Sequence, residues 1–215
     1  MDFETWEPYY KRILVDFGFS RARDEAAAKV LDEVLGGRRI RPRVIEAEVS
    51  GKAVSVAGNA PRLKVDLGRL TEVVVAADEA TSTLAAGGRV PQVIVTDLDG
   101  AVEDQVDANR KGAIAVVHAH GDNIPAIEKW AGEFTGRTLA TTQSRPFGGV
   151  YNFGGFTDGD RGVFLADAMG ARSIRLVGFD FEHPNPKDQP AEVKRRKLDW
   201  ALRLIRDLLP GRVEF

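Results

Sequence analysis

The sequence predicts an α/β protein: a mostly parallel, Rossmann-like sheet of about six strands with helices on both faces, preceded by N-terminal helices and followed by a long C-terminal helix. Three observations carry this reading. From about residue 50, short β-branched runs alternate with segments long enough for crossover helices, the signature of a parallel sheet. Runs such as VVVAA (73–77) and VIV (93–95) lack polar alternation, as strands buried on both faces do. Both ends of the chain carry apolar residues at the helical spacing of three and four. The expected organisation is a helical segment over 1–49, an α/β catalytic domain over 50–185, and a C-terminal segment over 186–215 whose helix packs on that same domain.

Taken in order, the first helix is marked by Phe3, Trp6, Tyr10, Ile13, Leu14 and Phe17, and Gly18 can end it. Ser20 is a plausible N-cap for a second helix through Ala26, Ala27, Val30, Leu31, Val34 and Leu35, which Gly36-Gly37 stops. Strands are expected over 53–57, 73–77, 93–96, 113–117, 138–142 and 174–177. The stretch 191–210 is amphipathic: Val193, Trp200, Ala201, Leu204, Ile205 and Leu208 form one apolar stripe, and Pro210 ends it. Its basic run, Lys194-Arg195-Arg196-Lys197, reads as a solvated face.

Composition narrows the function classes. With 215 residues, 43% of them apolar and 29% charged, the chain suits one generous domain with a small extension. A net charge of −2 gives no bulk attraction for nucleic acid or a membrane surface. Cysteine is absent, which excludes disulfides, thiol catalysis and cysteine-ligated zinc. No apolar run approaches the ~20 residues that span a bilayer. The opening MDFETWEPYY is acidic and aromatic, unlike a signal peptide. The expectation is a cytoplasmic protein acting on small molecules; a homo-oligomer is compatible with the sequence but not specified by it.

The candidate chemistry lies where apolar runs end in polar residues. VIVTDLDG (93–100) ends in Asp97 and Asp99, and AIAVVHAHGDN (113–123) ends in His118, His120, Asp122 and Asn123. Residues two apart on an extended chain point to the same side. The two aspartates can therefore converge, as can the two histidines, at the carboxyl edge where open α/β sheets bind ligands. Paired carboxylates suit a hard cation such as Mg²⁺, which bridges and neutralises phosphate oxygens; the competing reading is an Asp-Gly turn. The acidic partner motif also ranks a zinc or iron centre at the histidines below a Mg²⁺–phosphate site, where they would bind phosphate or shuttle a proton.

A third segment, GGVYNFGGFTDGDR (148–161), is glycine-rich and opens onto a helix. Free backbone N–H groups and Arg161 can hold anionic oxygens, while Asp158 or Asp160 can simply cap the helix. Gly58 and Asn59, after the first strand, are nucleotide-contact candidates, although the three-glycine dinucleotide fingerprint is missing. Asp78 follows the second strand and could bind a polar ring or cap a helix; Asp180, after the last strand, is a weaker candidate of the same kind. No Walker A sequence is present.

In this order and at these spacings, VIVTDLDG, HAHGDN and GFTDGDRG resemble the archaeal 6-hydroxymethyl-7,8-dihydropterin pyrophosphokinase family, and more distantly thiamin pyrophosphokinase. The resemblance covers roughly residues 50–185; the three motifs are specific together and weak singly. It implies a transferase that uses ATP as co-substrate and Mg²⁺ as cofactor. Such an enzyme passes the terminal diphosphate of ATP to the hydroxymethyl group of a reduced pterin, releases AMP, and feeds tetrahydromethanopterin or folate synthesis.

Carried onto this chain, the resemblance makes Asp97, Asp99 and Asp122 metal ligands. His118 and His120 would contact phosphate, and one of them could take the hydroxyl proton. Asp158, Asp160 and Arg161 would line the nucleotide or pterin pocket. Histidines stand where the thiamin enzymes have acids, and the chain closes in a helix where those enzymes have a β-sandwich, which argues against thiamin as substrate. Two alternatives stay open at the level of sequence: an enzyme using a nucleotide-sugar on a related scaffold, and a non-catalytic nucleotide- or pterin-binding module.

Overall fold

The computed structural model describes residues 1–185 and 190–215; the expected start of the C-terminal segment, 186–189, lies outside the described residues. Helix α1 (Phe3–Phe17) starts where the Asp2 carboxylate accepts the Thr5 N–H at 2.8 Å, and it buries Phe3, Trp6, Tyr10 and Ile13. Helix α2 (Arg21–Leu35) buries Ala27, Ala28, Leu31 and Leu35, and α3 (Arg43–Val49) buries Ile45 and Val49. The alternating part follows: β1 (Ala53–Ala57), α4 (Leu63–Asp66), β2 (Val73–Ala77), α5 (Ala80–Ala86), β3 (Val93–Thr96), α6 (Val102–Arg110), β4 (Ile114–Ala119) and α7 (Ile124–Trp130). The chain continues with β5 (Thr138–Thr142), β6 (Val150–Tyr151), α8 (Asp158–Ala168), β7 (Ser173–Val177), α9 (Ala191–Leu208) and β8 (Val213–Glu214).

The strands form one eight-stranded sheet in the order β6-β5-β4-β3-β2-β1-β7-β8, paired in parallel throughout. The expected α/β class and parallel sheet are present. The count differs from the expected six because β6 and β8, two residues each, add one strand at either edge. Two residues are too few for any periodic pattern to register in sequence.

Side-chain alternation explains why helices cover both faces. Val54, Val56, Val73, Val75, Val93, Val95, Ile114 and Val116 pack with Val163 and Leu165 of α8 and Met169 just past its end, with Ile45 and Val49 of α3, and with Ile205 of α9. The intervening Ala115 and Val117 pack with α2, α6 and α7, and Val74 and Ala76 with α4 and α5. Helix α8 lies close against the sheet at Gly162, where an added Cβ would sit 3.1 Å from Val56 Cγ1 and 3.2 Å from Val75 Cγ1. A further apolar cluster joins α1 to α9 through Trp6, Tyr10, Trp200 and Leu204, with Phe156 and Phe164 beneath them. The indole Nε1 of Trp6 also donates to Gln143 O at 2.8 Å, tying α1 to the end of β5.

The chain starts at β1, builds outward to β6, and returns beside β1 as β7. That reversal is the topological switch point, and the carboxyl ends of the strands around it are where open parallel sheets bind ligands.

Candidate active site

A cleft of about 510 Å³ opens over that edge, lined by the turns after β1, β2, β3 and β7, the start of α8 and one face of α9. Asp78, Asp97 and Asp158 meet in it, each offering a carboxylate oxygen within 4.8 Å of the others. Each is set by a different device. Asp97 is the first residue beyond β3 and is anchored through its backbone, whose C=O accepts Asn123 Nδ2–H at 2.8 Å. Asp78 follows β2 in the left-handed region, φ 45°, while its N–H donates to Val95 O at 2.8 Å. For a non-glycine residue that conformation is strained, and such strain concentrates at functional sites. Asp158 is the first residue of α8, and Arg161 Nη1 donates to its Oδ1 at 3.1 Å.

The electrostatics show three acids held too close together. Burial, and then the charge of Asp97, push the Asp78 carboxyl up to about 7, although Thr96 Oγ1 and Gln105 Nε2 donate to its Oδ1 at 3.0 and 2.6 Å. Burial and Asp97 push Asp158 well above the usual carboxylate range. Burial also opposes ionisation of Asp97. The His120 hydrogen bond and the charges of His120, Arg161 and Lys197 outweigh it and hold that carboxyl at about 2. Asp97 Oδ1 is buried with no hydrogen-bond partner among the described residues. An ionised oxygen buried without a donor is costly unless a cation completes it. The three carboxylates and that orphaned oxygen fit a hard divalent cation, which takes oxygen ligands.

The structure distributes the residues singled out from sequence unequally. Asp97 and Asp99 do not converge as two residues on one strand would. Strand β3 ends at Thr96, and Leu98 takes φ 67° and buries its side chain. Asp99 is thereby thrown outward; it lines the mouth of the cleft, exposed, with its Oδ1 accepting the Gly100 N–H at 2.7 Å. The two histidines do stay together, their ring centroids 6.4 Å apart. His120 Nδ1 faces the Asp122 N–H at 3.4 Å, and its Nε2 lies 3.3 Å from Asp97 Oδ2. His118 is buried, and burial followed by the Arg161 charge pushes its pKa well below the usual value, so the ring is neutral. Because Thr141 Oγ1 donates to Val117 O at 3.1 Å, it accepts from His118 Nδ1 at 3.1 Å, and His118 Nε2 has no partner among the described residues.

Asp122 points away from the cleft; its carboxylate is half-exposed and pairs with Arg23 at 3.3 Å. Asn123 is fully used inside the protein. Its Nδ2 donates to Asp97 O and to His118 O (2.7 Å), and its Oδ1 accepts the His120 N–H at 3.0 Å. The N-cap of α8 is Thr157 rather than Asp158 or Asp160; Asp160 completes the capping box, accepting from Phe156 N–H and Thr157 N–H at 2.7 Å each, which leaves Asp158 for the cleft. Arg161 is nearly buried and reaches both Asp158 Oδ1 and, at 3.4 Å, Gln143 Oε1. Gly58 stands at the switch point, where a Cβ would lie 2.8 Å from Gly178 O; the turn exists because β1 and β7 end in contact. Asn59 lines the cleft and donates to Glu79 Oε2 at 2.7 Å. Asp180 also lines the cleft, its carboxylate accepting the Glu182 and His183 N–H groups at 2.9 Å each.

Two contributions were not visible as site residues in the sequence. Lys194 and Lys197 of α9 line the cleft, and their spacing of three, which puts them on one helix face, is the signal that could have found them. Asp24, buried on α2, accepts from Gly121 N–H at 2.7 Å, Tyr10 O–H at 2.6 Å and Gln143 Nε2–H at 2.9 Å, so it braces both the histidine loop and the Arg161 partner. No local pattern marks it.

A protein described as 6-hydroxymethyl-7,8-dihydropterin pyrophosphokinase from Methanothermobacter thermautotrophicus is 44% identical over 95% of this chain and 94% of its own. Its counterparts of the same description from Pyrococcus furiosus and Methanocaldococcus jannaschii are 42% and 35% identical, each over 95% of this chain and over 93% and 95% of their own. Among solved structures, the MAf glycosyltransferase from Magnetospirillum magneticum AMB-1 aligns with a TM-score of 0.47 at 18% identity, over 75% of this chain and 31% of that one. The family model described as 6-hydroxymethylpterin diphosphokinase MptE-like matches residues 31–186, and the chain belongs to that family.

Proposed function

We propose that this protein transfers diphosphate from ATP to the hydroxymethyl group of 6-hydroxymethyl-7,8-dihydropterin and releases AMP. It does so with Mg²⁺ held by Asp78, Asp97 and Asp158, in the cytoplasm, on the way to tetrahydromethanopterin or folate. The observation that carries the reading is the convergence of those three carboxylates, one with a buried unpartnered oxygen, at the carboxyl edge of a parallel sheet. The relatives named above support the choice of substrate. Small molecules are the partners, and among the described residues no helix is long and apolar enough to cross a membrane.

A hard divalent cation at the three aspartates supplies charge neutralisation to the phosphate oxygens. Everything else is positioning by this chain. The pterin hydroxymethyl oxygen bonds to the β-phosphorus as the bond from that phosphorus to the oxygen shared with the α-phosphate breaks; AMP leaves with that oxygen, the hydroxyl proton passes to solvent, and little covalent help is needed. His120 Nε2, 3.3 Å from Asp97 Oδ2, orients that carboxylate toward the cleft. Asn123 ties the ends of β3 and β4 together so that Asp97 and both histidines keep their relative places. Arg161, held by Asp158 and Gln143, brings fixed positive charge beside the acids. His118, neutral and buried, presents an unprotonated Nε2. Asp99, at the mouth, can meet a phosphate-bound cation as it enters.

The test is product analysis. With ATP, Mg²⁺ and 6-hydroxymethyl-7,8-dihydropterin, the protein is expected to yield AMP and a pterin diphosphate. Formation of ADP, or unchanged ATP in the presence of the pterin, contradicts the reading.

A further inference from the structure

The basic run on α9 does not behave as one solvated face. Lys194 and Lys197 are half-buried and line the cleft, while Arg195 and Arg196 between them are exposed. Arg196 serves the fold: its guanidinium lies 4.8 Å from the Phe17 ring centroid and hydrogen-bonds Asp16 O. The helix thus divides its cations, two turned to the cleft and two turned away. The inward pair cannot drift, because α9 is clamped to α1 by Trp200 and Leu204, with Trp200 Nε1 donating to Asp16 Oδ2 at 3.0 Å.

The charge balance of the cleft gives this pair a task. Arg161, buried near the acids, gives its two Nη atoms to Asp158 and Gln143, and its buried Nε has no hydrogen-bond partner among the described residues. One guanidinium so placed offsets the carboxylate that it touches and leaves most of an incoming polyanion's charge to other cations. A nucleoside triphosphate brings more negative charge than one divalent cation offsets, and its remaining oxygens require protein cations. Lysine suits this as a mobile point charge that makes no demand for bidentate geometry.

We propose that Lys194 and Lys197 form the polyphosphate subsite of this cleft, binding the phosphate oxygens that a cation at the three aspartates would leave unneutralised. The identity of the phosphate donor rests on the diphosphokinase reading above; the existence of an anion subsite on α9 does not. Helix α9, which lies beyond the matched residues 31–186, becomes a wall of the site.

The experiment is calorimetric titration of the full chain with inorganic tripolyphosphate in the presence of Mg²⁺, across wild type, Lys194→Ala, Lys197→Ala and Arg195→Ala. Thermal melting of each variant confirms the fold. Each lysine variant is expected to bind about tenfold more weakly, with a shallower dependence on salt, and Arg195→Ala to match wild type. Three results overturn the proposal: no binding to wild type, lysine variants that bind like wild type, or an equal loss in Arg195→Ala, which would make the effect a general one of helix charge. Its failure is separable from that of the enzymatic reading. A wild type that binds tripolyphosphate but forms no AMP with the pterin sinks only the latter, and intact turnover with unweakened lysine variants sinks only the subsite.

Discussion

Two groups of inward-turned aspartates in this molecule are joined by a chain of side chains and are built on opposite plans. Asp24 is buried and well supplied with donors: Gly121, Tyr10 and Gln143 all donate to it. Asp78, Asp97 and Asp158 crowd one another, and one of their oxygens has no donor. Gln143 and Arg161 connect the two, with Arg161 bonding Gln143 on one side and Asp158 on the other. The difference lies in the donors. A buried carboxylate that its surroundings satisfy holds the fold together; carboxylates that repel one another with too few donors are kept for something that arrives.

Substitution should separate the two groups. Asp97→Asn is expected to lower AMP formation by about 10²–10³-fold, with a smaller loss of stability, since His120 and Arg161 favour the ionised Asp97 carboxylate in the folded protein. AMP formation close to wild type would remove Asp97 from the site. Asp24→Asn should do the reverse. An amide NH₂ would face the donors that now converge there, at a cost of about 1–3 kcal/mol measured by urea unfolding. A fully stable Asp24→Asn protein would remove its structural role.

pH offers a finer separation. Asp78 and Asp158 have folded-state pKa values above those of the unfolded chain, so the stability they contribute is full below the ordinary carboxylate range and is lost as pH rises. For Asp78 the loss runs up through about 7. Asp97 has the opposite sign, its contribution being lost only as pH falls toward about 2. Unfolding of the metal-free protein between pH 4 and 7 should therefore show the contribution of the raised pair falling with pH, and Asp78→Asn should flatten the slope. A slope unaltered by that substitution contradicts the crowding. The smallest effect belongs to Asp122→Ala, which removes a half-exposed pair with Arg23. Stability should change by less than about 0.5 kcal/mol, and turnover should stay close to wild type in the same AMP assay.

Much of this was legible in the chain, and the exceptions have physical causes. The six main strands announce themselves because continuous β-branched runs are how a doubly covered strand must be written. Strands β6 and β8 are too short to write anything. The carboxyl edge was legible because apolar runs break there into acids and histidines. The side-by-side placement of Asp97 and Asp99 was not, because the period-two rule lapses where the strand ends, and Leu98 turns left-handed one residue past Asp97. Which residue would cap α8 depends on a hydrogen-bond choice the letters leave open; Thr157 is the N-cap, and Asp160 completes the capping box instead of capping the helix itself. Asp24 and the inward lysines depend on contacts across the whole chain, from Asp24 on α2 to Gln143 beyond β5, and from α9 back to α1. No local spacing encodes such contacts.

The contrast between the two groups is tested most directly by divalent-cation binding to the metal-free protein, with Mn²⁺ followed by electron paramagnetic resonance in place of Mg²⁺. Wild type is expected to bind, Asp97→Asn and Asp158→Asn to bind at least about tenfold more weakly, and folded Asp24→Asn to bind like wild type. Binding that survives Asp97→Asn undiminished would contradict the account.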